Sequence, residues 1–443
     1  MGGEYMTLKN DHRVQEYINS ICSQIKNRSI HGEIRTELLG HIEEAVMEHL
    51  STGISEDEAI RKAVTEMGDP GHVGRQLNKI HKTQPDWSIL IITIMMAGLG
   101  LFAMYFIETN GALLNSNQIF FRSLVSTLLG MALVCGLYFI DYRRMQAYSK
   151  YVYIGTLLIL TFVVYYGTPA NGARAWLSIG PIRFNFAETS PFLFIIALAG
   201  LFDNWNWNGP KRVISGLALS IVPAILILNV PSFSAGVAYL IACAVLMVVS
   251  GLKPKYIPLA AGSGFGLFLF AGITQPYRIS RLLAFFNVGQ DPQGAGWIYL
   301  QLNKLTKSAG FFGQGFNFDP KSIPEIHTDF VFTYIMYTFG WITGIILAVL
   351  VLTFLIRLAY IAMTVKNSYG KLLLSGFVAV FAVQFFWNIL MNLNLAPVTG
   401  VGLPFISYGG SQFVLSMLVI GIITNIYKWR NATKTYIEGK DIE

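Results

Sequence analysis

Charge is what this chain has least of. Lys, Arg, Asp and Glu make up 13% of its 443 residues, against 53% for the apolar types, where soluble domains carry about a quarter charged. With a mean hydropathy of +0.50, that scarcity excludes an ordinary soluble enzyme and points to an integral membrane protein. Cysteine is scarce too. Cys22, Cys135 and Cys243 stand far apart, two of them in apolar runs, which argues against a disulfide framework or a metal cluster and for small buried hydrophobes. The opening MGGEYMTLKNDHRVQEY has no apolar core of the kind a signal peptide needs, so the amino terminus is expected in the cytoplasm. No nucleic-acid partner is expected.

What charge there is lies unevenly. The first 86 residues hold 24 of the 57 charged side chains. The expected architecture is therefore all-α: a small cytoplasmic helical domain (1–86), a membrane domain (87–430) with a long outer loop at 274–329, and a cytoplasmic tail (431–443). In the first domain Ile34, Leu38, Ile42, Val46 and Leu50 recur on one helical face. Ser55 and Glu58 read as a capping box, Gly68 as a helix stop, and Asp69-Pro70 as the next start. His41, Glu44, Glu48 and His49 read as a solvated polar face rather than a metal site, because their spacing does not match a helical His-Glu-x-x-His motif.

About ten transmembrane helices are expected, near 88–107, 119–140, 151–166, 188–203, 213–230, 234–250, 256–273, 330–356, 370–393 and 405–427. The positive-inside rule supports this count. Arg143, Arg144, Lys150, Lys211, Arg212, Lys253, Lys255, Arg357, Lys366 and Lys371 fall in the expected inner loops, with Lys428 and Arg430 in the tail. A multi-pass membrane protein with both termini inside follows. Two outer segments run against the bias: 167–187 carries Arg174 and Arg183, and 274–329 carries Arg278 and Arg281.

Outside the first domain there are eleven carboxylates, and Glu188, Asp291, Asp319, Glu325 and Asp329 fall on or near that outer face. The stretch IPEIHTDFVF (323–332) puts Glu325, His327 and Asp329 at the mouth of a membrane helix. A carboxylate beside low-dielectric surroundings can act as a general base, and arginines bind phosphate oxygens bidentately. Two readings stay open on chemistry alone: a site for a lipid-linked diphosphate donor, or interfacial ion pairs that fasten helix ends.

Several segments taken together resemble the SEDS family (shape, elongation, division and sporulation), over roughly 88–430. They are NGARAW (171–176), FNFAE (184–188), Arg278 and Arg281, DPQGAGW (291–297) with Gln301, PEIHTDFVF (324–332) and PVTGVGLPFISYGGS (397–411). The first 86 residues resemble the small prefix domains of some bacterial permeases, which implies a regulatory or docking role with an unknown cytoplasmic partner. The family resemblance implies a peptidoglycan glycosyltransferase. Such enzymes polymerise lipid II into β-1,4 glycan strands at the outer face during elongation, division or sporulation, beside a class B penicillin-binding protein. It implies Asp329 as the catalytic base. It also implies Arg174, Glu188, Arg278, Arg281, Glu325, His327, Ser407, Gly409, Gly410 and Ser411 as substrate-binding residues, and Mg²⁺ or Mn²⁺ as a cofactor. The chain departs from the family at Pro191 (a Lys), at Ser232 and Ser234 (an Asp and a Gly), and at Tyr337-Thr338 (an acidic pair). Two other functions remain: a non-catalytic regulator or scaffold acting through residues 1–86, and a flippase for a lipid-linked precursor. The flippase ranks last, because Glu188 is the main polar group read inside the membrane.

Overall fold

The computed structural model describes the chain except residues 1–7, 9, 26–30, 81–84, 111–117, 171–172, 180–181, 231–232, 275, 317, 320–321 and 431–443. The side chain of Arg174 is also outside that description, as are Ser232 and the tail 431–443. The chain divides into two compact units, Met1–Pro85 with Lys428–Glu443, and Asp86–Tyr427.

In the first unit, α1 (His12–Gln24), α2 (His31–Ser51), α3 (Glu56–Glu66) and α4 (Pro70–Ile80) bury one core. Ile34, Leu38, Ile42 and Val46 of α2 meet Val14, Ile18 and Ile21 of α1. Leu50, expected on that face, is exposed, because it lies in the last turn of α2. Ser55 stands at the N-cap of α3 but makes no side-chain cap bond, so the capping box is not formed. Gly68, at φ +84°, ends α3, and Asp69 Oδ2 accepts from the N–H of His72 (2.7 Å) at the start of α4. His49 Nε2 lies 3.0 Å from Glu66 Oε2.

The second unit is a helical bundle: α5 (Trp87–Thr109), α6 (Ile119–Leu137), α7 (Arg144–Ala147), α8 (Ser149–Tyr166), α9 (Phe186–Phe202), α10 (Pro210–Asn229), α11 (Phe233–Val249), α12 (Ile257–Ile273), α13 (Pro276–Phe286), α14 (Trp297–Ser308), α15 (Val331–Phe339), α16 (Trp341–Thr364), α17 (Ser368–Asn392) and α18 (Gly410–Lys428). Among the described residues eight helices are long and apolar enough to cross a membrane, and α9 and α11 are shorter apolar helices. Each of the ten expected spans contains one of these helices, and the chain is a multi-pass membrane protein. The centre is α9, α11 and α17, packed on one another. Asp86 caps α5, accepting from the N–H of Ile89 (3.1 Å), and its buried carboxylate pairs with Arg357 of α16 (Nη2–Oδ2 2.6 Å).

Three expectations are corrected. The span read as 330–356 is two helices, α15 and α16. Gly340 at φ +91° parts them, a conformation that excludes most other residues. The segment 310–315 docks into the break: Gln314 and Gly315 donate to the carbonyls of Tyr337 (2.8 Å) and Thr338 (3.2 Å), and Trp341 donates to Gly310 (3.0 Å). A Cβ on Gly340 would strike the Phe311 carbonyl. The last span begins at Gly410 rather than 405, because 397–409 is irregular, with Phe405 at φ +66° seated among Phe354, Phe381 and Phe385. Finally, the loop 167–187 contains a three-stranded antiparallel sheet: β1 (Thr168–Ala170), β2 (Ala173–Ile179) and β3 (Ile182–Asn185). Trp176 pairs with Thr168 on one side and Asn185 on the other. The sheet ends in the cap of α9, where Asn185 Oδ1 accepts from the N–H of Glu188 (3.3 Å), so the sheet sets where Glu188 stands.

Candidate active site around Asp329

Residues 323–330 form a tight set of turns ahead of α15. Glu325 sits in the left-handed region (φ +55°), an uncommon place for a side-chain-bearing residue. Its carbonyl accepts from the N–H groups of Thr328 and Asp329 (both 3.1 Å), and its Oε2 accepts from Thr328 Oγ1 (3.0 Å). Those bonds curl the chain and hold the strained residue in place. His327 lies on the same turns. Its carbonyl accepts from the N–H of Tyr408 (2.8 Å), and its ring lies 5.4 Å from the Tyr408 ring. Burial holds the imidazole below its usual pKa, against the pull of Glu325, which favours the neutral form. Its Nδ1 is buried without a partner.

The helix α17 grips the turns from the other side. Asn388, fully buried, donates from Nδ2 to the carbonyls of Asp329 (2.9 Å) and Val401 (2.6 Å). Asn392, one turn on and equally buried, donates to the Asp329 carbonyl (3.1 Å) and accepts from the N–H (3.2 Å) and Oγ1 (2.6 Å) of Thr333. The Asp329 backbone is thus tied to α15, α17 and the segment around Val401.

Its carboxyl is left free of such ties: no described residue donates a hydrogen bond to it. The group is half-buried and faces Gly400, where a Cβ would lie 3.5 Å from Oδ2. Burial pushes the carboxyl up to about 8. The charges of Glu188 and Glu325 add to that, and Arg281 opposes it. Gly400 also lines a narrow cleft with Glu188, Ser234, Gln384, Trp387 and Gln412. In its ionised form such a carboxyl, beside the cleft that Gly400 lines, is equipped to take a proton from a bound hydroxyl.

The other expected site residues divide. Arg281, exposed on α13, acts on Asp329 through its charge. Arg278 does not stand beside it in an open site. It is 8% exposed, and its guanidinium donates to the carbonyls of Leu228 (2.6 Å), Val230 (3.3 Å) and Ala271 (2.8 Å). These carbonyls end α10 and α12, where a cation suits both the orphan acceptors and the helix dipole. Arg174 lies on β2, and Arg183 is exposed on β3. Ser411 Oγ accepts from the N–H of Asn185 (3.4 Å), joining the start of α18 to the cap of α9. Ser407 Oγ accepts from the N–H of Leu403 (2.7 Å). Ser407, Gly409 and Gly410 line a second narrow cleft against α5 and α6. Asp291 accepts from the N–H groups of Gly294 and Ala295 (both 2.9 Å) and shapes its own turn.

The sequence reading missed Gln384, Asn388 and Asn392. Their signal was there: three amide side chains at four-residue spacing in an otherwise apolar helix mark one face.

Known proteins match over the membrane unit. Stage V sporulation protein E of Bacillus subtilis is 27% identical over 359 residues, 79% of this chain and 98% of that protein. The peptidoglycan glycosyltransferase MrdB of Escherichia coli K12 is 27% identical over 317 residues, 70% of this chain and 85% of that one. A chain from a structure on the coordination of polymerization and crosslinking by a peptidoglycan synthase complex superposes with a TM-score of 0.68 at 25% identity, covering 79% of this chain and 99% of that one. The rod shape determining protein RodA of Thermus thermophilus shares the fold (TM-score 0.60, 24% identity, 80% of this chain and 99% of that one). The sequence profile FtsW/RodA/SpoVE, described as cell cycle protein, matches residues 86–432, and the chain belongs to that family.

Proposed function

We propose that this chain is a peptidoglycan glycosyltransferase that polymerises lipid II at the outer face of the cytoplasmic membrane, with Asp329 as its base. The observation that carries the reading is the Asp329 carboxyl: raised to about 8, free of donors among the described residues, and beside Gly400 at the edge of a cleft while its backbone is held from three sides. The names of relatives such as MrdB support it. In the reaction the Asp329 carboxylate takes the proton from the acceptor sugar's 4-hydroxyl as that oxygen attacks the donor's anomeric carbon. The new C–O bond forms as the bond to the diphosphate breaks, and undecaprenyl diphosphate leaves with the electron pair. Arg281 supplies positive charge near the Asp329 carboxyl that would offset charge on the departing diphosphate.

Among the described residues no three His, Cys, Asp or Glu side chains converge on one point. A hard cation that takes one carboxylate and completes its shell with phosphate oxygens and water fits such a site. Glu188 is the residue that would hold Mg²⁺ or Mn²⁺, and the cation would offset charge on the leaving diphosphate. A class B penicillin-binding protein is the proposed partner, supported by the likeness to a chain of a peptidoglycan synthase complex. Residues 1–86 form the cytoplasmic docking domain in this reading, 87–430 the membrane domain and 431–443 the tail, with both termini inside.

The experiment is glycan polymerisation by the purified full-length protein with lipid II and Mg²⁺ or Mn²⁺, with and without a class B partner, beside Asp329→Asn. Polymer from the wild type and none from the variant is expected. Polymer from both sinks Asp329 as the base. No polymer from the wild type under either condition sinks the polymerase and leaves the regulator.

A further inference from the structure

The three amides of α17 are not used alike. Asn388 and Asn392 are saturated by backbone groups of this chain. Gln384, one turn earlier on the same face, is 7% exposed, and its Oε1 has no hydrogen-bond partner among the described residues. A buried amide oxygen left unpaired in a membrane bundle is costly, and such groups are nearly always matched. Gln384 lines the same cleft as Glu188 and Gly400, and Gly400 abuts the Asp329 carboxyl. The unmet acceptor therefore stands in the wall of a cleft that adjoins the base. The cleft walls beside it are apolar: Ala235, Val383 and Val401. The complementary group is an N–H donor carrying a small methyl, which is an acetamido substituent.

We infer that Gln384 is a specificity-determining residue whose Oε1 accepts the acetamido N–H of the N-acetylhexosamine whose hydroxyl Asp329 deprotonates. The inference rests on the glycosyltransferase reading of the same site. It explains why an amide persists, buried and unpaired, in an apolar helix. The two satisfied asparagines place the base, and the third amide reads the substrate.

The test compares two lipid-linked GlcNAc–MurNAc acceptors, one natural and one with the terminal 2-acetamido group replaced by 2-acetoxy. The ester keeps the carbonyl and methyl and loses only the donor. Equilibrium binding is measured on the full chain in the Asp329→Asn background, where bound acceptor is not consumed, and again with Gln384→Met or Gln384→Glu added. The parent is expected to prefer the amide by about tenfold or more. Gln384→Met brings the two ligands to within about threefold of each other. Gln384→Glu, which retains an acceptor oxygen, keeps the preference and guards against a packing defect in the Met variant. A parent without preference, or a preference that survives Gln384→Met, overturns the inference. Polymerisation by the wild type is scored separately, so polymer without acetamido discrimination sinks Gln384 and spares the enzyme. Failure of both acceptors to bind sinks both.

Discussion

Helix α12, with the turn before it (Pro254–Ile273), and α17 are both long and apolar enough to cross a membrane, yet they differ widely in burial. In α17, 61% of the spanning window is buried, and in α12 only 6%. The difference lies in what interrupts each apolar run. Gln384, Asn388 and Asn392 interrupt α17 on one face, and that face is held against α9, α11 and the turns of Asp329. Gly262, Gly264 and Gly266 interrupt α12, and a Cβ on Gly262 or Gly266 would meet nothing within 4 Å. The base is thus built onto the tightly packed side. Arg281, which acts on it by charge, stands on α13, the helix that follows the loosely packed α12. In a bilayer, where apolar burial distinguishes protein from lipid poorly, close packing and interhelical hydrogen bonds decide which helix is central.

The strongest way to break that comparison is to remove the grip of α17 on the base. Asn388→Leu deletes the donors to Asp329 and Val401, which leaves the Val401 carbonyl unpaired and the Asp329 carbonyl held by Asn392 alone. A drop in kcat of about 100-fold is expected, as for a misplaced catalytic group, with a smaller change in KM. The check is steady-state polymerisation beside a thermal unfolding curve. Loss of activity with the protein still folded at assay temperature is the expected pairing. An unchanged kcat would show that Asn392 and the turns around Glu325 hold Asp329 without Asn388.

Much of this contrast was hidden in the sequence for identifiable reasons. Hydropathy and Lys/Arg placement find the ten apolar helices, because each signal sits within one segment. The Glu325–Asp329 cluster was visible because carboxylates are so few. The break at Gly340 was not, since it depends on segment 310–315 docking from elsewhere in the chain. Nor was the role of Arg278, whose three carbonyl partners come from two other helices. The sheet at 168–185 was missed because its strands are short, and β2 takes its pairing from both flanks. Reading Glu188 as the main polar group inside the membrane overlooked three buried amides, because attention went to charge rather than to spacing.

The pH profile sharpens the electrostatic half of the comparison. Asp329 works as a base only when ionised, so activity rises with pH, with an acid limb centred near pH 8. The sign for its neighbours follows from their charges. Glu188→Gln removes a negative charge that holds the proton on Asp329, so the limb moves down, at a rate lowered by the lost cation ligand. Arg281→Gln removes a positive charge that favours ionisation, so the limb moves up. Folding stability moves the opposite way to activity. The carboxyl is protonated in the folded chain up to about 8 but ionises from 3.8 in an unfolded one, so its contribution falls as pH rises between those values. Asp329→Asn lacks that decline. Rate measurements across pH 6–10 check these shifts, and movement of both variants in one direction would mean that these two charges do not set the titration.

The gentlest probe adds one methyl group to each helix. A Cβ on Gly376 of α17 would lie 2.4 Å from Ile195 Cγ2 of α9, a branched side chain with little room to turn away. Gly376→Ala is expected to destabilise by about 1–3 kcal/mol, the usual cost of overpacking. A Cβ on Gly262 of α12 meets open space, and Gly262→Ala is expected to be neutral or up to about 1 kcal/mol stabilising, through helix propensity alone. Thermal unfolding of both variants in the same detergent reads the difference. If Gly262→Ala destabilises as much as Gly376→Ala, then α12 is covered by another protein surface, and its exposure here belongs to the isolated chain.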